Sequence, residues 1–216
     1  YNSLFVQSLT RGVKGLLPQW GVSDKATISL LTVSENATFL IKDKQRDNQF
    51  IIRVHRPDYH SKNEILSELM WIQSLRQQQV LNTPEPLAMK DGSLVAEFDD
   101  DGTARYVVAF EFLPGQQPSE DESLIEGFEL LGATSAKLHL HAKQWRLPDT
   151  FQRKKWNFDS AFGRQPLWGD WREALGLDEQ GKNVLERLCE VLESKLADYG
   201  EGPERFGLVH ADLRLA

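Results

Sequence analysis

Residues 48–57, NQFIIRVHRP, decide how the rest of the chain is read. The run is rich in β-branched and aromatic residues, so it suits a strand, and successive side chains of a strand point to opposite faces. That alternation puts Phe50, Ile52 and Val54 on one face and Ile51, Arg53 and His55 on the other. One face is core and the other carries a cation. From about Ser61 to Gln78 the period changes. Ile65, Leu69, Ile72 and Leu75 are three and four apart, the spacing of a helix with an apolar side. Glu64 and Glu68 stand one turn apart on this helix, on the same face. Between Arg53 and Glu68 there is room for a strand end, a turn and two helical turns.

Working outward, SLFVQSLTRGVKGLLPQWG predicts a first helix over Ser3 to Leu17, stopped by Pro18 and Gly21. ISLLTV (28–33) and ATFLIK (37–42) join the opening stretch in an antiparallel meander, with the polar turns SEN and DKQRDN between them. LVAEF (94–98) and ARYVVAFEF (104–112) are two more strands, joined by the acidic turn DDDG. They run into Leu113, Pro114 and Gly115, a natural hinge. Beyond it come a helix over 127–145, an irregular Trp-rich stretch over 148–175, and a helix near 179–199. The closing FGLVHADLRLA (206–216) predicts a buried strand through Phe206, Leu208 and Val209, with His210 and Asp212 in a loop at its end. A β-rich half with one internal helix therefore precedes an α-rich half, an α+β arrangement. The chain has no internal repeats.

The 216 residues are 40% hydrophobic and 26% charged, ordinary for a folded chain with a real core. The net charge of −7 supplies no global positive field, so neither nucleic acid nor an anionic membrane surface is an expected partner. No apolar stretch reaches the roughly 18 residues of a membrane span. The one cysteine, Cys189, lies in VLERLCEVLESKL at helical spacing, which predicts a small core residue, no intrachain disulfide and a cytoplasmic setting. His139 and His141 are two apart on a helix, face different sides and suit structural roles rather than joint metal ligation. The acidic run Asp99 to Asp101 reads as a solvated turn.

Three groupings carry chemistry. Arg53 held by Glu68 is a rigid cation able to oppose a triphosphate. The strand VVAFEFLPG (107–115) leaves the β-rich half with edge groups exposed. There the Glu111 carbonyl and Leu113 amide can hydrogen-bond an adenine ring. Asp212 at the mouth of a loop can accept a proton from a hydroxyl as its oxygen attacks phosphorus, with His210 ordering the loop. Trp156, Trp168 and Trp171 read as packing, or as an aromatic wall on which a cation stacks.

Taken in order, ENATFLI, FIIRVHRP, EILSELMWIQSL, VVAFEFLPG, LGATSAKLHLH and LVHADLRLA resemble the aminoglycoside phosphotransferase, choline kinase and homoserine kinase-like superfamily over nearly the whole chain. The resemblance implies a two-lobed protein-kinase-like fold. Residues 1–113 would form the nucleotide-binding lobe, and 114–216 a helical lobe incomplete in this chain. It implies ATP and Mg2+ as cofactors and a small-molecule hydroxyl as acceptor, as in an aminoglycoside, choline or homoserine. By position Arg53 stands for the family's phosphate-contacting Lys, Glu68 for its helix partner, Glu111 and Leu113 for the adenine hinge, Asp212 for the base and His210 for the first residue of its loop. Alternatives are a non-catalytic nucleotide-binding pseudo-kinase and a stress-response protein Ser/Thr kinase. There are three departures. The first loop, VSENAT, lacks G-x-G-x-x-G, which leaves phosphate cradling to backbone amides of Ser34, Asn36 and Thr38. Arg replaces Lys at 53, a planar fork in place of a point charge. The family's H-x-D-x-x-x-x-N would put its metal-binding Asn at 217, so residues 1–216 alone carry no metal ligand of that set and are expected not to transfer phosphate.

Overall fold

The computed structural model describes residues 3–45, 47–115 and 124–213. Five antiparallel strands form one sheet in the order β1-β2-β3-β5-β4. They are β1 (Thr27–Val33), β2 (Ala37–Asp43), β3 (Asn48–Val54), β4 (Val95–Asp100) and β5 (Thr103–Glu111). The predicted alternation is visible residue by residue, since Ala37, Phe39, Ile41, Phe50, Ile52, Val54, Val107 and Ala109 are all buried on one face. Helix α1 (Ser3–Leu16) covers that face with Leu9, Val13 and Leu16, which its helical period brings to one side. Each of these large apolar side chains contributes roughly 1.5–3 kcal/mol on leaving water.

The opposite face is covered as well. Helix α2 (Lys62–Gln77) lays Ile65 and Leu69 on Val95, Val108 and Phe110, with Ile51 and Ile72 packed alongside. The start of α2 is set by a capping box. Glu64 N–H donates to Ser61 Oγ (3.2 Å) and Ser61 N–H donates to Glu64 Oε2 (2.8 Å). Glu64, expected to share a functional face with Glu68, is thus committed to the helix end.

Two glycines of α1 separate packing from propensity. A Cβ on Gly12 would stand 2.2 Å from the Phe98 ring, whereas one on Gly15 meets nothing within 4 Å. Gly12→Ala is therefore expected to lower stability by about 2 kcal/mol through overpacking. Gly15→Ala should raise it by up to about 1 kcal/mol through helix propensity. Urea unfolding of the two variants checks the opposite signs.

The helical part contains α3 (Ile125–Gln144), a single-turn α4 (Phe158–Ala161) and α5 (Glu179–Tyr199), with a 3-10 turn at Trp171–Glu173 inside the Trp-rich stretch. His141 of α3 is buried. It accepts from Trp71 Nε1 at Nδ1 (3.2 Å) and bonds Ser74 Oγ through Nε2 (3.1 Å), which ties α3 to α2. His139 is exposed, so the two histidines do part company.

Three expectations need correction. Residues 206–209 form no strand, because among the described residues no neighbouring strand pairs with them to satisfy their backbone groups, and Val209 is 51% exposed. Cys189 is half-buried rather than in the core, on a helix with no buried residue. Asp100 is not solvated. It pairs with Arg105 at 2.8 Å and accepts from Ser8 Oγ at 2.5 Å, which fastens α1 to the sheet.

Candidate functional site

On the α2 face of the sheet, Arg53 is directly opposite Thr38 on β2 and Val108 on β5, and Ile51 is opposite Leu40 and Phe110. Paired residues of an antiparallel sheet share a face. Thr38 and Arg53 therefore lie in one row, and an apolar row of Leu40, Ile51 and Phe110 lies beside it, leading to the chain's exit at Glu111. Antiparallel pairing and α2 together bring these residues into one place.

Arg53 and Glu68 meet as the spacing predicted. Nη2 of Arg53 is 2.5 Å from Glu68 Oε1, with the side chains 24% and 22% exposed. The guanidinium also lies 5.0 Å over the Phe110 ring. Its Nε–H is buried and has no acceptor. A mostly buried cation with an unused donor suits an anion that completes the set. Burial raises the Glu68 carboxyl, but Arg53 and then Arg153 outweigh it and hold the group below the usual carboxylate range.

At the exit of β5, Glu111 is held at both ends. Its amide donates to the Glu85 carbonyl (2.9 Å) and its carboxylate pairs with Arg76 (2.7 Å). The Leu113 amide has no backbone partner among the described residues, and its side chain is 38% exposed. In the turn after β1, Ser34 N–H donates to the Asn36 carbonyl (3.1 Å), and Asn36 Oδ1 accepts from the Arg56 amide (3.2 Å). Asn36 thus braces the loop against the end of β3. A cavity of about 450 Å3 borders this turn on the α1 side, lined in part by Ser34, Asn36, His55 and Arg56.

Asp212 and His210 lie together on the exposed, irregular end of the described chain. The Asp212 amide donates to His210 Nδ1 (3.3 Å), and Ala211 between them adopts the left-handed region at φ 64°. The remaining residues of the expected catalytic loop, 214–216, are outside the described residues. Trp156 and Trp168 meet edge to face at 5.0 Å, and Trp168 Nε1 donates to the Tyr59 hydroxyl (3.2 Å). Trp171 instead stacks on Arg172.

Two contributors escaped the sequence reading. Arg153, in an irregular stretch, puts Nη1 3.6 Å from Glu68 Oε2, and only its place in the basic triplet 153–155 could have drawn notice. His55 is 3% exposed, neither ring nitrogen has a partner, and burial followed by Arg53 lowers its pKa from 6.5 to about 3. The unfolded chain protonates this imidazole near pH 6.5 and the folded protein only near 3. The stability it contributes is therefore complete above 6.5 and is lost as pH falls through that window. Urea unfolding from pH 7 to 4 should show a fall of about 1.4 kcal/mol per pH unit from this group. His55→Gln should flatten that slope.

Among the described residues no helix is long and apolar enough to cross a membrane, and no cluster of three or more His, Cys, Asp or Glu could hold a metal ion. A sequence model described as the phosphotransferase enzyme family matches residues 28–216. No curated protein matches the chain. Among solved structures, a microcompartment-associated aminopropanol kinase is 40% identical with a TM-score of 0.83, the match covering 94% of this chain and 62% of that one. An amicoumacin kinase in complex with AMP-PNP, Ca2+ and Ami is 23% identical with a TM-score of 0.72, covering 100% and 59% respectively, a likeness of fold. The chain thus spans about three-fifths of the length of these two kinases.

Proposed function

The chain belongs to the phosphotransferase enzyme family, and on that premise we propose that it serves an ATP-dependent transfer of the γ-phosphoryl group to a hydroxyl of a small molecule. The fold is kinase-like, a mixed α/β architecture shared with both kinases above. In this reading residues 1–113 are the nucleotide-binding lobe and 114–216 belong to a helical lobe. The observation that carries it is the Arg53–Glu68 pair at 2.5 Å, with the Arg53 Nε–H buried and still lacking an acceptor.

Adenine would lie along Leu40, Ile51 and Phe110, bonded at its edge to the Glu111 carbonyl and the Leu113 amide. Its phosphates would run past Thr38 and the turn at Ser34 and Asn36 to the Arg53 guanidinium. Glu68 keeps that cation from swinging away, so its charge opposes the phosphates without reorganising. Asp212 takes the proton of the acceptor hydroxyl as that oxygen forms its bond to the γ-phosphorus. The bond from that phosphorus to the bridging oxygen breaks, and ADP leaves with the electron pair. His210 holds the Asp212 backbone in place through its Nδ1. A divalent cation such as Mg2+ would accompany the nucleotide and offset the charge on its phosphates; among the described residues no cluster of three or more His, Cys, Asp or Glu could hold it alone.

For the acceptor, the 40% identity to an aminopropanol kinase favours a small amino alcohol. The Trp156–Trp168 pair offers aromatic faces to its ammonium group. An ATP-consumption screen of the intact protein against amino alcohols, sugars and aminoglycosides tests this, with turnover expected for amino alcohols. Binding of nucleotide without turnover of any acceptor would leave a nucleotide-binding module in place of an enzyme.

A further inference from the structure

The segment 152–154, which comes from the helical part, is fastened to the first two turns of α2 by three consecutive residues. The Gln152 amide donates to the buried Ser67 Oγ (2.9 Å). Arg153 Nη1 donates to the Glu64 carbonyl (3.1 Å) and lies 3.6 Å from Glu68 Oε2. Lys154 Nζ donates to Glu64 Oε1 (3.0 Å) and to the Tyr59 carbonyl. Glu68 is thereby divided between two cations, with Oε1 toward Arg53 and Oε2 toward Arg153.

We infer that Arg153 is a positioning residue for the nucleotide-binding cation: it holds the second oxygen of Glu68, so that the first stays aimed at Arg53. The inference rests on the kinase reading above. A carboxylate with one partner rotates freely about its last torsion, whereas a cation attracting its second oxygen opposes that rotation. The cation it holds is then delivered in one orientation. Because Arg153 also bonds the α2 backbone at Glu64, outward movement of α2 would have to break the contacts of all three strap residues at once. The Arg53–Glu68 pair is therefore assembled before nucleotide arrives.

The titratable and charged groups facing Glu68 are Arg53 from β3, the neutral His55 just beyond it and Arg153 from the strap. Glu64 on its own helix is occupied by Lys154 and neighboured by His60. Removing the Arg153 charge takes away the second of the cations that hold the Glu68 carboxyl ionised, so its protonation moves to higher pH.

The test is calorimetric titration of AMP-PNP into the intact protein from pH 3.5 to 8, for wild type and three variants. Arg153→Gln is expected to bind roughly fivefold more weakly at pH 7 and to shift the acid limb of binding to higher pH. Arg153→Lys, which keeps the charge, should restore the acid limb. Lys154→Gln loosens the same strap but leaves Glu68 both cations, so it should lower the melting temperature without moving the limb. If all three variants behave alike, or if Arg153→Gln leaves affinity and acid limb unchanged, the assignment is overturned. Should Arg153→Gln not fold, Arg153→Lys against Lys154→Gln decides. A wild-type limb in the lysine variant supports the charge role, and a displaced one ends it. A wild-type protein that binds no AMP-PNP refutes the kinase reading itself, a result distinct from these.

Discussion

Asp212→Asn is expected to lower kcat for phosphoryl transfer by about a thousandfold in the intact protein, with the dissociation constant for AMP-PNP changed less than about twofold. The amide is isosteric with the carboxylate but accepts no proton from the attacking hydroxyl, so the loss should fall on the chemical step. The substitution spares the backbone, and the amide of residue 212 still donates to His210 Nδ1, so the local turn survives. Because Asp212 is exposed, its replacement should leave unfolding in urea unchanged. Single-turnover transfer measured beside nucleotide affinity separates the outcomes. Equal losses in kcat and in affinity would mean that residue 212 shapes the nucleotide site instead of taking the proton.

Glu68→Ala is the second large effect. It leaves Arg53 and Arg153, both mostly out of solvent, facing each other with no acceptor between them. Truncating one partner of a fully buried pair costs about 3–5 kcal/mol, and partial exposure of these side chains reduces the expected loss to about 2 kcal/mol. Affinity for AMP-PNP should fall roughly thirtyfold, because the Arg53 charge remains but its direction is lost. Glu68 is depressed below the usual carboxylate range, so the stability it contributes is present above its unfolded value, near pH 4.5, and is lost as pH falls through the folded value. The acid sensitivity of wild type at the lowest pH should therefore be weaker in the variant. Stability lost with nucleotide affinity intact would mean that the pair is structural and that the phosphates go elsewhere.

Much of this site is legible in the sequence. The alternation in NQFIIRVHRP and the three-and-four spacing from Ile65 to Leu75 are local signals, and each element forms where its period says. The interval from Arg53 to Glu68 held because a strand, a turn and two helical turns have set lengths. The end of β5 at Glu111 was likewise marked by the Pro and Gly that close the run.

What could not be read is what depends on partners distant in the chain. A segment such as FGLVHAD has strand composition, but a strand exists only where another strand accepts its hydrogen bonds, and among the described residues none does. Arg153 follows Glu68 by many residues in a stretch with no period, so only docking of 152–154 on α2 makes it a second partner of that carboxylate. His55 likewise appeared as one more polar residue at a strand end, and only the closure of helix and strap around it makes it a buried neutral imidazole. The sequence by itself determined which elements form and which charges they carry, because those follow from short-range periodicity and composition. The tertiary structure decided which of those charges are buried together, because desolvation and Coulomb attraction act through space and ignore distance along the chain.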